Sequence, residues 1–75
     1  MKLWLLQRID EDESYYDEAF GFVIRAETGK AARLFASKDA GDEGSITWLD
    51  PTLTTCRSIS DKGSPRIILR DFLAG

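Results

Sequence analysis

The sequence predicts a single α+β domain, a mostly antiparallel sheet of four or five strands in the order ββαβββ with one helix packed on one face. Three observations lead there. A length of 75 residues leaves room for one core. Short segments of alternating apolar and polar residues recur along the chain, bounded by Gly, Pro and Asp. One segment only, residues 30–39, has helical spacing.

Residues 2–9 read as the first strand, with Leu3, Leu5 and Ile9 on one face and Trp4, Leu6 and Arg8 on the other. Bulk on both faces suits a central position. Residues 10–18 hold six carboxylates in nine positions, and such a run reads as a solvated loop. Residues 20–26 return to strand character, Phe20, Phe22 and Ile24 alternating with Gly21, Val23 and Arg25, and are expected to pair antiparallel with the first strand. The Thr28 hydroxyl can cap a helix over residues 30–39, Glu27 complements its positive end, and Gly41 is expected as a left-handed C-cap. Ala31, Leu34, Phe35 and Lys38 share one side of that helix. Leu34 and Phe35 are therefore expected to dock on the sheet, with the small Ala31 allowing close approach. After a loop at 42–45, Ile46, Thr47, Trp48 and Leu49 read as a short strand ended by Asp50 and Pro51. Residues 53–59 form a weaker strand, Leu53, Thr55, Arg57 and Ile59 alternating with Thr54, Cys56 and Ser58. Turn residues 61–65 lead into a last strand over 66–72, with Ile67 and Leu69 on one face and Ile68, Arg70 and Phe72 on the other. The tail, Leu73 to Gly75, is expected to fray.

Hydrophobic residues make up 43% and charged residues 31% of the chain, a globular balance rather than that of a disordered segment. A core this small leaves only a few kcal/mol of net stability, so a homodimer is a natural way to add burial. With one cysteine, Cys56, and no histidine, neither an internal disulfide nor a Cys/His zinc set can form, which favours a reducing, cytoplasmic setting. The apolar run Leu3-Trp4-Leu5-Leu6 is too short for a signal peptide or a bilayer span, so no membrane partner is expected. A net charge of −3 with ten scattered basic residues argues against direct nucleic-acid binding.

No catalytic constellation is legible, and the chain reads as a non-enzyme. Cys56 lacks the histidine that would make it a thiolate. Asp10 and Asp12 match the first alternating ligands of a calcium loop, but Ser14 is third and Tyr15 stands where the turn needs glycine. Asp39, Asp42 and Glu43, beside Gly41 and Gly44, form a looser group of the same kind. No metal and no cofactor is assigned. Trp4, Phe20, Phe22 and Trp48 could stack a base, but in so small a chain they are needed first for the core. The candidate partner-binding residues are those of the acidic segment: Asp10, Glu11, Asp12, Glu13, Tyr15, Tyr16, Asp17 and Glu18. Its carboxylates can imitate a phosphate backbone in a basic groove, and its tyrosines add rigid aromatic contacts. The same residues also read as a solubilising loop whose tyrosines cover the edge of the core. The strand at 53–59 is a further candidate interface, through strand addition or dimerisation.

The stretch from Tyr16 through Phe20-Gly21-Phe22-Val23-Ile24-Arg25 to Thr28, then Ala40-Gly41-Asp42-Glu43, Trp48-Leu49-Asp50-Pro51, Thr54 to Cys56, and Arg70-Asp71-Phe72 resembles a family of short uncharacterised proteins of bacteriophages and prophage-bearing bacteria, over nearly the full length of the chain. The segment before Trp48 is shorter here than in many members. The resemblance implies a phage accessory role and carries over no catalytic or binding residue. It points first to a protein that inhibits a host nucleic-acid-handling or defence protein through the acidic segment. The alternative is an oligomeric sponge for a small nucleotide signal, with Arg25, Arg57 or Arg70 pairing to phosphate. A small virion or assembly component is the third reading.

Overall fold

The computed structural model describes residues 1–9 and 17–71. Three strands, β1 (Lys2–Arg8), β2 (Gly21–Ala26) and β3 (Thr54–Ile59), form one antiparallel sheet in the order β2-β1-β3. β1 is central because it alone carries bulk for two buried faces: Leu5 and Leu6, neighbours in sequence and on opposite faces, are both buried. On one face Leu6 lies between Phe22 and Cys56, and on the other Leu5 lies between Val23 and Arg57. The faces expected for β1 and β3 are those observed.

Two helices cover the Leu6 face. α1 (Gly29–Lys38) starts where Thr28 Oγ1 accepts a hydrogen bond from the Ala31 amide at 3.1 Å. It docks through Ala32 and Ala36, both fully buried, while Leu34 and Phe35 stay 45% and 58% exposed. The docking face is thus turned from the expected one: Leu34 and Phe35 face outward, and of the residues expected on it Ala31 packs at the edge of the core. Small residues four apart let the helix lie close to the sheet, where a leucine or phenylalanine would hold it off. Gly29 marks the same closeness, since a Cβ there would sit 3.3 Å from the Trp4 ring and 3.4 Å from Cys56 Sγ.

The volume above the sheet is filled instead by Trp48, fully buried and edge-on to Phe22 with ring centroids 4.8 Å apart. Trp48 belongs to a second helix, α2 (Ser45–Leu49), which replaces the strand expected at 46–49. Four residues are too few to separate a period of two from one of 3.6, and here the helix brings Trp48 inward while Ile46 and Leu49 face out. Asp50, extended before Pro51, ends α2, and its carboxylate accepts from the Thr52 amide at 2.8 Å. The Thr52 hydroxyl donates to the same oxygen at 2.7 Å, and the hydrogen bonds from the hydroxyl and the amide hold the Asp50 carboxyl below the usual range.

Arg33 locks the two helices to the sheet. Its Nη1 donates to the Trp48 carbonyl at 2.9 Å and to Oγ1 of buried Thr54 at 2.7 Å, and its Nη2 donates to the Thr54 carbonyl at 3.1 Å.

No strand forms over 66–71, and Phe72 lies outside the described residues. The described sheet therefore has three strands rather than four or five, and the element order is ββααβ with two helices. Pro65 removes a backbone donor where pairing would begin, and Ile67 is 78% exposed, so the alternation read there does not correspond to burial. The segment instead comes back over the face opposite the helices: Ile68 shares a cleft with Arg57 and Ile59, and Leu69 shares another with Gln7 and Val23.

Candidate functional site

Of the candidate residues, Asp10, Glu11, Asp12, Glu13, Tyr15 and Tyr16 lie outside the described residues, and Asp17 and Glu18 lie within them. The structure treats these two differently: Asp17 is exposed and Glu18 is not. Glu18 turns inward: its Oε2 accepts from Arg8 Nη1 at 3.1 Å, with the two side chains only 6% and 7% exposed. A buried pair of this kind is held by mutual need, because removing either partner leaves the other charge desolvated. Asp17 adopts a positive φ of 56° and acts through its backbone, its carbonyl accepting from the Asp42 amide at 2.6 Å.

Around these two residues the chain is clamped. Arg8 N donates to the Phe20 carbonyl at 3.3 Å and Ile9 N to the Leu53 carbonyl at 2.8 Å. The Arg8 guanidinium also lies over the Phe20 ring, 5.6 Å from its centroid. Glu43 closes the frame from the other side: Oε1 accepts from the Ala19 amide at 3.0 Å and Oε2 from Trp48 Nε1 at 2.6 Å. Burial works against its charge, but the hydrogen bonds from Trp48, from the Ala19 amide and from neighbouring amides outweigh that and hold its carboxyl below the usual range. Gly41 makes the approach possible. It does not have the left-handed backbone expected of a C-cap; α1 ends at Asp39, whose amide donates to the Ala36 carbonyl. A Cβ at Gly41 would overlap the Asp17 carbonyl oxygen, so the position is glycine for close contact between two backbones.

Glu43 was legible only as a member of a loose carboxylate group beside glycine, and Gly41 only as a neighbour of that group and as a helix C-cap. The signal that could have separated Glu43 was its place five residues before Trp48, within reach of an indole N–H once that segment is helical. Among the described residues no three His, Cys, Asp or Glu side chains converge where they could hold a metal ion.

The face opposite the helices gathers cations. Arg25 and Arg57 stand on the same side of the sheet, Arg25 across from Leu3 on β2 and Arg57 across from Leu5 on β3. Arg70 lines a separate cleft of about 510 Å³ with Phe20, Val23 and Leu69. The three arginines singled out from the sequence are thus divided between two places.

Comparison with protein-family models, with curated proteins and with solved structures found no match. What the chain can do is accordingly argued from its own chemistry. Cys56 donates through Sγ to the Gly29 carbonyl at 3.7 Å, and burial pushes its thiol up despite the attraction of Arg33, the wrong direction for a nucleophile. No helix among the described residues is long and apolar enough to cross a membrane.

Proposed function

We propose that this protein is a non-catalytic binding protein, a phage or prophage accessory factor that inhibits a host nucleic-acid-handling or defence protein by presenting its acidic segment to a basic groove. The observation that supports this reading is the clamp on both flanks of the segment. Arg8 and Glu18 pair in a nearly solvent-free position, Ile9 is tied to Leu53, and Asp17 and Ala19 are tied to the 41–43 turn. A segment that served only for solubility has no use for a fixed base. An acidic binding element does, because fixing its ends beforehand reduces the ordering cost of association. Carboxylates directed at a basic partner raise the rate of encounter and select for complementary charge.

The test is recovery of the tagged protein from bacterial lysate, followed by native mass spectrometry, with a variant in which Asp10→Asn, Glu11→Gln, Asp12→Asn and Glu13→Gln are combined. A stoichiometric protein partner held by the parent and lost by the equally folded variant supports the proposal. A partner retained equally by both, or a parent protein recovered bare, refutes it.

A further inference from the structure

The residues that flank the acidic segment and the turn at 60–65 are found at opposite ends of β1. β1 runs from Lys2 to Arg8, so its two ends are about 20 Å apart at the usual rise of a strand. The acidic segment leaves from the Arg8 end, where Ile9 meets Leu53. At the Lys2 end, β3 finishes at Ile59 opposite Leu3, and the chain enters the turn at 60–65. Residues 57–66 carry three cations against one carboxylate, in a chain whose net charge is −3.

This turn borders an open cleft of about 390 Å³. Arg57, Lys62 and Arg66 bring three cations to it, Ser58, Ser60 and Ser64 bring hydroxyls, and Asp61 is the one carboxylate on its wall. Arg57 and Arg66 are exposed and form no ion pair among the described residues. The Lys62 amide is occupied by Ser60 Oγ at 3.0 Å, whereas the amides of Gly63 and Ser64 donate to no group among the described residues. Gly63 has a φ of 144°, a conformation that glycine alone adopts readily and that shapes the turn around the cleft. Next to it, Arg25 lines a second opening with Lys2, Ser58 and Ser60.

We infer that the cleft within the 57–66 turn is a binding site for a phosphate-bearing small anion of oligophosphate or nucleotide size. Two guanidinium groups offer forked donors that match phosphate oxygens, Lys62 adds a mobile point charge, the serines of the wall add hydroxyls, and the Gly63 and Ser64 amides have no acceptor among the described residues and are available to a ligand. Asp61 faces the same space, so the site favours a ligand whose charge can be spread over Arg57 and Arg66. The contacts are solvent-exposed, and binding should weaken as salt is raised. The inference is independent of the acidic segment, none of whose residues lines the cleft among the described residues.

The experiment is a titration of the isotopically labelled full chain with pyrophosphate, and separately with adenosine diphosphate, at constant ionic strength, following backbone amide signals. Expected are saturable shifts centred on residues 57–66, led by the Gly63 and Ser64 amides, and an affinity reduced about tenfold or more in Arg57→Gln/Arg66→Gln, as loss of two charge-assisted partners implies. A Lys30→Gln/Lys38→Gln control on α1 should retain parental affinity. Tighter binding of adenosine diphosphate than of pyrophosphate would identify a nucleotide, and equal binding a bare oligophosphate; both uphold the site. Shifts that fail to saturate, that spread equally to Lys30 and Lys38, or that persist unchanged in the folded double-arginine variant overturn it.

Discussion

Replacing Glu43 with glutamine tests the frame that holds the acidic segment. The carboxylate accepts two hydrogen bonds, one from Trp48 Nε1 at 2.6 Å and one from the Ala19 amide at 3.0 Å. An amide in the same position keeps one acceptor oxygen and turns an N–H₂ group toward the second donor. One charge-assisted bond is lost and the other becomes neutral, for a total cost of about 2 kcal/mol. In a domain of this size that corresponds to a fall in Tm of roughly 8–16 °C. Thermal and urea unfolding followed by far-ultraviolet circular dichroism would measure it, and near-ultraviolet signal would report on the Trp48 environment. Acidity supplies a second check. Because the folded-state pKa of Glu43 is lowered, its stabilising contribution is fully present above the unfolded-state value of about 4.3 and disappears as pH falls through the folded-state value. The gap between parent and Glu43→Gln should thus be wide at neutral pH and close under acid conditions. A variant within about 0.5 kcal/mol of the parent at neutral pH, the range of an ordinary surface change, would refute the clamp, as would a gap that does not change with pH.

Three further outcomes follow from the packing. Arg33→Met should destabilise by about 3 kcal/mol in urea unfolding, because it removes three hydrogen bonds and leaves Thr54 groups short of partners in a buried position. Phe35→Ser on the outer side of α1 should stay within about 0.5 kcal/mol of the parent, whereas Ala36→Leu at the helix–sheet contact should lose about 1–3 kcal/mol by overpacking; the reverse order would restore the docking face that the sequence suggests. Gly41→Ala should push the 41–43 turn away from Asp17, read as a loss of hydrogen-exchange protection at the Asp42 amide, and unchanged protection there would remove the close-approach argument.

Local pattern carried the reading where an element was long enough and paired with its neighbour in sequence. The alternation in Lys2–Arg8 and Gly21–Ala26, the bulk on both faces of the first strand and the capping hydroxyl of Thr28 each have one physical solution, and each occurs. The reading failed where two solutions were close. The α1 wheel offers a large-residue side, with Leu34 and Phe35, and a small-residue side, with Gly29, Ala32 and Ala36. Taking the large side assumed that hydrophobic size decides docking, when close approach to the sheet did. Residues 46–49 were too short to reveal their period, and residues 66–71 alternate without pairing.

The candidate site was half legible. The density of carboxylates in 10–18 stands out in composition, but Glu18 as an inward partner of Arg8 does not, because a charge run looks uniformly solvated until the fold brings a cation beneath one member. The sequence by itself determined the antiparallel pairing of the first two strands, the helix start and the acidity of the intervening segment, since these depend on residues near one another in the chain. Only the tertiary structure decided which helix face is buried, that Trp48 fills the space above the sheet, that Glu43 ties Ala19 to that tryptophan, and that Arg25 and Arg57 share the sheet face opposite the helices. Those outcomes depend on which distant groups compete for the same volume and the same hydrogen bonds, and that competition is settled only when the chain has packed.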